Sequence, residues 1–198
     1  MLKESLAYYV SHDSAVYCAF LDATKAFDRI NYCKLFRMLI KRRLSGYIVR
    51  VLLNFYICNF LRVTWGGFFS DYFVAVNGVK QGGVLSPLLF CVYLDGLLIV
   101  LSKSKVGCFI GDVFTGALAY ADNIVLCAPS ATALRKMLIV CDKYASDFDM
   151  AFNADKSKCL IVFPPSRRDL RRDLVSSLSH IEFRIDGRKW KLCRLIRI

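Results

Sequence analysis

A chain of 198 residues is long enough for one compact domain with its own hydrophobic core, and only marginally long enough for two. Its 28 Lys and Arg against 16 Asp and Glu leave a net charge of +12, which in a folded chain points to a polyanionic partner, a nucleic acid or an acidic membrane surface. Nine scattered cysteines with no Cys-x-x-Cys pair, and only His12 and His180 to assist them, argue against a zinc site and against a disulfide framework.

Most cysteines lie among apolar neighbours, as in Tyr17-Cys18-Ala19-Phe20, and read as small buried hydrophobes of a reducing compartment. The N-terminus, Met1-Leu2-Lys3-Glu4-Ser5, lacks the apolar core of a secretory signal. The expected location is therefore intracellular, in cytoplasm or nucleus.

In chain order, the apolar and β-prone run Val16 to Leu21 predicts a strand buried on both faces that ends at Asp22. Asn31 is placed to cap a helix to about Leu44, broken by Ser45-Gly46, and a second helix runs from about Tyr47 to Phe60. A hairpin pivots on Gly66-Gly67. Ser86-Pro87 has the form of an N-cap followed by proline at the first helical position, and it opens an apolar stretch from Val84 to Leu101. That stretch barely reaches membrane-spanning length and contains Asp95 and Gly96, so a buried core helix is expected rather than stable membrane insertion.

Two β-prone runs, Val113 to Ala119 and Ile124 to Ala128, flank a hairpin turn at Tyr120-Ala121-Asp122-Asn123. Ser130 caps a helix to about Phe148, and Cys159 to Phe163 is a last strand. Pro164-Pro165 marks the sharpest break in composition, dividing a body of residues 1–163 from a basic segment, 164–198. From Ser166 onward ten basic residues face four acidic ones, half the net charge in a sixth of the chain, which suits a solvated end and a backbone-binding surface equally. The order of elements predicts an α+β fold with an antiparallel sheet.

Two carboxylates stand out. Asp22 ends the first strand and Asp122 lies in a tight hairpin turn one hundred residues later, each preceded by apolar sequence. A carboxylate at the end of a buried strand is costly unless it is paired, hydrogen-bonded or bound to a cation. If the fold brings the two together, a divalent ion such as Mg²⁺ relieves their repulsion, and such pairs hold two ions in phosphoryl-transfer sites. Judged by spacing alone, a turn aspartate and a capping aspartate that never meet are the favoured reading.

The surrounding motifs decide between these readings. Phe20-Leu21-Asp22-Ala23-Thr24-Lys25-Ala26-Phe27-Asp28 (20–28) resembles the first palm motif of reverse transcriptases, and the run Gly78-Val79-Lys80-Gln81-Gly82-Gly83 through Phe90 (78–90) resembles the second. Ala119-Tyr120-Ala121-Asp122-Asn123 (119–123) resembles the third, and Asn153-Ala154-Asp155-Lys156-Ser157-Lys158 (153–158) the fourth. The Lys-Ala-Phe-Asp and Gly-Val-Lys-Gln-Gly wording favours the non-LTR (LINE-type) retrotransposon branch; group II intron and retron enzymes share the palm. The resemblance implies a polymerase palm, an antiparallel ferredoxin-like sheet backed by helices.

It further implies RNA-directed DNA polymerase activity, a nucleotidyl transfer with two Mg²⁺ ions, or Mn²⁺ in their place, acting on an RNA template, a DNA primer and deoxynucleoside triphosphates. Asp22 and Asp122 match the metal ligands, with the backbone carbonyl of Ala23 as a further donor. Phe27 matches the steric gate against a ribose 2′-hydroxyl, and is equally acceptable as a core phenylalanine. Gln81 and Gly82 match the loop beside nucleotide and template, where glycine allows close backbone approach; a plain helix-entry turn uses the same residues. Lys156 matches the lysine that serves the leaving pyrophosphate, and is equally at home as a surface lysine. Asp28 reads as structural, tying the loop after the first motif to the next helix.

The pattern departs from the family at Asn123, where a second aspartate is usual. An amide oxygen still touches a cation, but one negative charge is lost where Mg²⁺ would be held. With few residues before the first motif, and a possible primer-grip hairpin beginning only at Ile185-Asp186-Gly187, most of the fingers and thumb are expected to be missing. The alternative function is a catalytically inactive palm that retains nucleic-acid binding. Oligomeric state is not legible.

Overall fold

Leu2–Ser11 forms a helix (α1), with Glu4 in its first turn where the helix dipole favours an acid. The computed structural model describes residues 1–80, 82–167, 183–185, 188–190 and 192–196. After α1, Val16–Asp22 forms the strand β1, and Asn31 caps the helix α2, Tyr32–Lys41, its side chain accepting from the Lys34 amide at 3.2 Å. Ser45 precedes α3, Gly46–Ile57. Four two-residue strands follow: β2 (Phe60–Leu61), β3 (Thr64–Trp65), β4 (Phe68–Phe69) and β5 (Phe73–Val74).

The long apolar helix α4 is Ser86–Lys103. The expected strand from Val113 to Ala119 is split in the structure. Phe109–Ile110 (β6) pairs with Val113–Phe114 (β7), and after Thr115-Gly116 the strand β8, Ala117–Tyr120, turns into β9, Asn123–Ala128. Ser130 accepts from the Ala133 amide at 3.2 Å and caps α5, Ala131–Asp147. Lys158–Val162 forms β10, Pro165–Arg167 a short 3-10 turn, and Phe183–Ile185 (β11), Arg188–Trp190 (β12) and Leu192–Ile196 (β13) complete the described elements. Helix α1 was not anticipated from the sequence. Ser86 also departs from its expected role: it begins α4 and its hydroxyl donates to the Lys80 carbonyl at 2.5 Å.

The chain divides into two compact units, Met1–Thr24 with Gly96–Ile198, and Lys25–Asp95. In the first, the main sheet has the order β13-β10-β1-β9-β8. Strands β10, β1, β9 and β8 are antiparallel neighbours, the strand order of a ferredoxin-like sheet, and β13 adds a parallel edge beside β10. The wholly antiparallel expectation is corrected at that edge. Part of the basic segment beyond Pro164-Pro165 thus belongs to the main sheet.

Pairing alternates the two faces of β1. Tyr17, Ala19 and Leu21 share a face with Ile124, Leu126, Cys159 and Ile161, and α5 packs on the sheet with Leu134, Met137, Leu138 and Cys141 buried. Val16, Cys18, Cys127 and Val162 face Leu6 of α1. The Tyr9 hydroxyl ties α1 to β6, donating to the Phe109 carbonyl at 2.9 Å and accepting from its amide at 2.8 Å. Each large apolar side chain so buried contributes about 1.5–3 kcal/mol.

In the second unit, α2 packs on α3 through the ring cluster Tyr32, Phe36 and Tyr56. Helix α4, which runs across the division between the units, is long and apolar enough to cross a membrane by length and composition alone. It carries a stripe of buried Leu89, Phe90, Tyr93, Leu94, Leu97 and Leu101, the spacing of a core helix, and Asp95 is ion-paired with Arg42.

Cysteines 18, 108, 127, 141 and 159 are buried, whereas Cys33, Cys58 and Cys91 are exposed, so the reading of most cysteines as core residues fails at those three. Cys18 and Cys127 face each other across β1 and β9 with sulfurs 3.8 Å apart. The bond to Cys18 and burial push the Cys127 thiol far up, and burial raises Cys108 to about 12. Such thiols stay protonated and unreactive. In the folded protein an alkylating reagent should modify Cys33, Cys58 and Cys91 and spare Cys18, Cys108, Cys127 and Cys141 until denaturant is added, as read by peptide mass mapping.

Gly78 has φ +88°, and a Cβ there would lie 2.9 Å from the Cα and carbonyl oxygen of Asp28. Its amide donates to Ile30 at 2.9 Å and the next, Val79, to Phe27 at 2.8 Å. Gly78→Ala should therefore destabilise the chain by about 1–3 kcal/mol, measured by denaturant unfolding.

Candidate active site

The geometry starts from β1 against β9. Their register sets Asp22 opposite Asn123, one residue past the two-residue turn Ala121-Asp122. Beyond the last ladder pair the Ala23 amide donates to the Asp122 carbonyl at 3.2 Å. Asp22 and Asp122, separated by one hundred positions in sequence, thus stand at adjoining strand ends. Ala121 takes φ 51°, a left-handed value that costs an L residue about 1–2 kcal/mol, in the turn that carries Asp122. Backbone strain of this kind gathers at functional sites.

Asn123 does more than replace a charge. Its amide nitrogen donates to the Asp122 carboxylate at 3.0 Å, so the asparagine satisfies its neighbour's oxygen where a second carboxylate would repel it.

The third edge of the site is the loop before β10. The β1–β10 ladder ends at Phe20 paired with Lys158, and the loop beyond it rejoins the end of β1 at the bridge between Ala23 and Phe152. The Lys156 ammonium lies 3.6 Å from the Asp22 carboxylate, with the aspartate side chain 21% exposed and the lysine 71% exposed. A pair this wet contributes no more than about 1 kcal/mol, so its significance is placement rather than stability.

That loop is built by two residues to which the sequence reading assigned no role, Asn153 and Ser157. The Asn153 side-chain oxygen accepts from the amides of Asp155, at 3.0 Å, and Lys156, at 3.2 Å, an Asx turn that folds the loop on itself. The Asn153 amide donates to the Asp22 carbonyl at 2.7 Å, and the buried Ser157 hydroxyl accepts from the Asp22 amide at 3.2 Å. Both backbone groups of Asp22 are therefore held by one loop. An Asn-x-Asp-Lys-Ser run before a strand was the available signal, because Asx turns have that composition.

The donor groups that the residues at these strand ends carry are oxygens: the carboxylates of Asp22 and Asp122, the Asn123 amide and the carbonyl of Ala23, whose strand end is bridged to Phe152. Hard oxygen donors of this kind fit Mg²⁺ or Mn²⁺ and not a soft metal. Among the described residues no group of three or more His, Cys, Asp or Glu side chains is assembled for a metal.

The remaining expected site residues belong to the second unit. Phe27 is half-buried, its ring 5.1 Å from that of Phe90. Gly82 has φ +81° with open space where a side chain would be. Gln81 lies outside the described residues. Asp28 is exposed and its backbone packs against Gly78, in keeping with a structural part. A cleft of about 530 Å³ in this unit is lined by Asp28, Asn59, Asn77, Gly78 and Lys80 among others; Asn59 and Asn77 had drawn no attention in the sequence.

Three sets of relatives bear on this geometry. A Pol polyprotein of the type-2 retrotransposable element R2DM of Drosophila melanogaster is 34% identical over 145 residues, covering 73% of this chain and 14% of that protein. One from a type-1 element R2 of Popillia japonica is 27% identical over 173 residues, covering 85% of this chain and 27% of the relative. The chain thus spans about a quarter or less of the length of these relatives. In fold it is similar to telomerase of Candida tropicalis, solved with a fragment of telomeric RNA, at TM-score 0.63 and 13% identity over 80% of this chain and 28% of that one. Telomerase of Candida albicans, also solved with such a fragment, gives 0.60 and 14% over 80% and 30%. The family model described as "Reverse transcriptase (RNA-dependent DNA polymerase)" matches residues 2–184. Its four motifs, palm sheet and non-LTR relatives together establish that the chain belongs to the reverse transcriptase family.

Proposed function

We propose that the chain supplies the catalytic palm for RNA-templated extension of a DNA primer. In that reaction the primer 3′-oxygen forms a bond to the α-phosphorus of a deoxynucleoside triphosphate, the bond from that phosphorus to the bridging oxygen breaks, and pyrophosphate leaves. The observation that carries the reading is the register of Asp22 against Asn123, with the Ala23 amide on the Asp122 carbonyl, which joins the first and third motifs at one strand end.

Asp22 and Asp122, with the Ala23 carbonyl and the amide oxygen of Asn123, would hold two Mg²⁺ or Mn²⁺ ions. Such ions, when bound, lower the pKa of an attacking hydroxyl and stabilise charge on a leaving group. The chain's own contribution is orientation: the Asn153–Ser157 loop restrains the peptide groups on either side of Asp22. Lys156 would release Asp22 to a cation and turn its ammonium to the pyrophosphate, offsetting charge there or giving a proton. Phe27 would exclude a ribose 2′-hydroxyl, and Gln81 and Gly82 would border nucleotide and template. The working location is intracellular.

A second reading, a palm that binds nucleic acid without catalysis, is favoured by one observation: the Asn123 amide donates to Asp122 where the family usually has a carboxylate. Primer extension on an RNA template in Mg²⁺ or Mn²⁺ separates the two. The catalytic reading expects extension that falls about a thousandfold in Asp122→Ala, the several kcal/mol that metal-held charge supplies, and that needs less Mg²⁺ in Asn123→Asp. Salt-sensitive binding with no extension, even in Asn123→Asp, would establish the inactive reading.

Ser157→Ala should cost about 1 kcal/mol in unfolding, because it removes the buried hydroxyl to which the Asp22 amide donates. In an active protein it should also raise the Mg²⁺ concentration needed for half-maximal extension, while the KM for nucleotide changes little.

A further inference from the structure

The second unit, Lys25–Asp95, carries large aromatic side chains that its own packing does not use. Trp65 and Phe68 are 84% and 83% exposed. They flank Gly66-Gly67, whose φ values of +55° and +83° make the two-residue turn of a tight hairpin. Because Trp65 pairs directly with Phe68, both rings rise from the same face of that hairpin. Phe69, on the other face, and Tyr72, beyond the hairpin, are exposed, and the Arg62 guanidinium lies 4.0 Å and 5.4 Å from their ring centres. A second cation on an exposed ring recurs at Lys80, 4.6 Å from the centre of Phe55.

Aromatic surface held in water forgoes about 1.5–3 kcal/mol per side chain, so a cluster of this size marks a contact surface. The charge selects the contact. Residues 25–95 carry ten Lys and Arg against three Asp, and within the segment itself Arg62 is the cation over the rings, with Asp71 its acidic neighbour in sequence. A guanidinium over a ring keeps N–H donors for phosphate oxygens, and Arg62 makes no hydrogen bond or ion pair among the described residues. Exposed rings beside cations that track a backbone are the means by which proteins hold unpaired bases, whose faces are available where those of a duplex are already stacked.

We propose that the segment from Arg62 to Tyr72 holds single-stranded nucleic acid by stacking, on Trp65 and Phe68 at one face of its hairpin and on Phe69 beside Arg62 at the other, sequence-tolerant because it offers ring faces and a cation rather than base-edge readout. The inference deepens the polymerase reading by naming a holding surface for unpaired template or primer. It rests on that reading only for the kind of partner, since neither Asp22 nor Asp122 takes part.

The test is fluorescence anisotropy of labelled homopyrimidine RNA and DNA strands with the full chain in EDTA, so that failure of the metal chemistry cannot affect it. The stacking surface expects binding that the paired change Trp65→Ala with Phe68→Ala weakens roughly tenfold or more, and that Trp65→Phe retains. Arg62→Gln should weaken binding and reduce the slope of log affinity against log salt by about 0.7. Circular dichroism checks that each variant is folded. Failure of the parent chain to bind the strands, or unchanged affinity in the paired variant, would overturn the proposal. So would a paired variant that keeps strand binding but loses self-association in sedimentation or attachment to anionic lipid vesicles, because the hairpin would then serve a protein or membrane contact.

Discussion

The antiparallel pairing of β1 with β9 is the constraint on which the candidate site depends. A ladder whose side chains alternate faces at every step resists sliding, since a shift of one residue would exchange the side chains that pack on the α5 face, Leu21 and Ile124 among them, with those that pack towards α1. Several kcal/mol of burial therefore hold the register, and the register holds Asp22 beside the turn that carries Asp122. Carboxylates carried on adjoining strand ends repel one another. Hydrophobic packing elsewhere in the sheet opposes their repulsion, and the Lys156 ammonium and Asn123 amide offset part of it locally.

The loop from Asn153 to Lys158 gives that arrangement its rigidity. A terminal strand residue with free peptide groups would fray, yet both groups of Asp22 are bonded to this loop, whose own shape is set by one asparagine side chain. The third-motif turn shows the opposite economy. Ala121 occupies a backbone conformation that glycine would adopt without strain, and the cost is tolerated in the turn that carries Asp122.

The second unit follows different physics. There the first and second motifs meet through backbone contact, Gly78 against Asp28 with no room for a side chain, and through the rings of Phe27 and Phe90. This unit as a whole carries an excess of Lys and Arg and many exposed rings. The two units thus carry complementary chemistries of one family: oxygen donors suited to cations in one, rings and cations suited to nucleic acid in the other.

Much of this was legible in the chain itself. Local chemistry determined the strand ending at Asp22, the caps at Asn31 and Ser130, the hairpin at Gly66-Gly67 and the turn at Asp122, because capping, turn formation and face alternation depend on residues a few positions apart. Four motifs in order identified the family and hence the sheet. Only the tertiary structure decided that residue 22 meets residue 123, that Ser157 and Asn153 brace Asp22, that Cys33, Cys58 and Cys91 are outside the core, and that β13 joins the sheet edge. Each of these depends on partners far apart in the chain, brought together by burial summed over a whole sheet, which no local run of residues records.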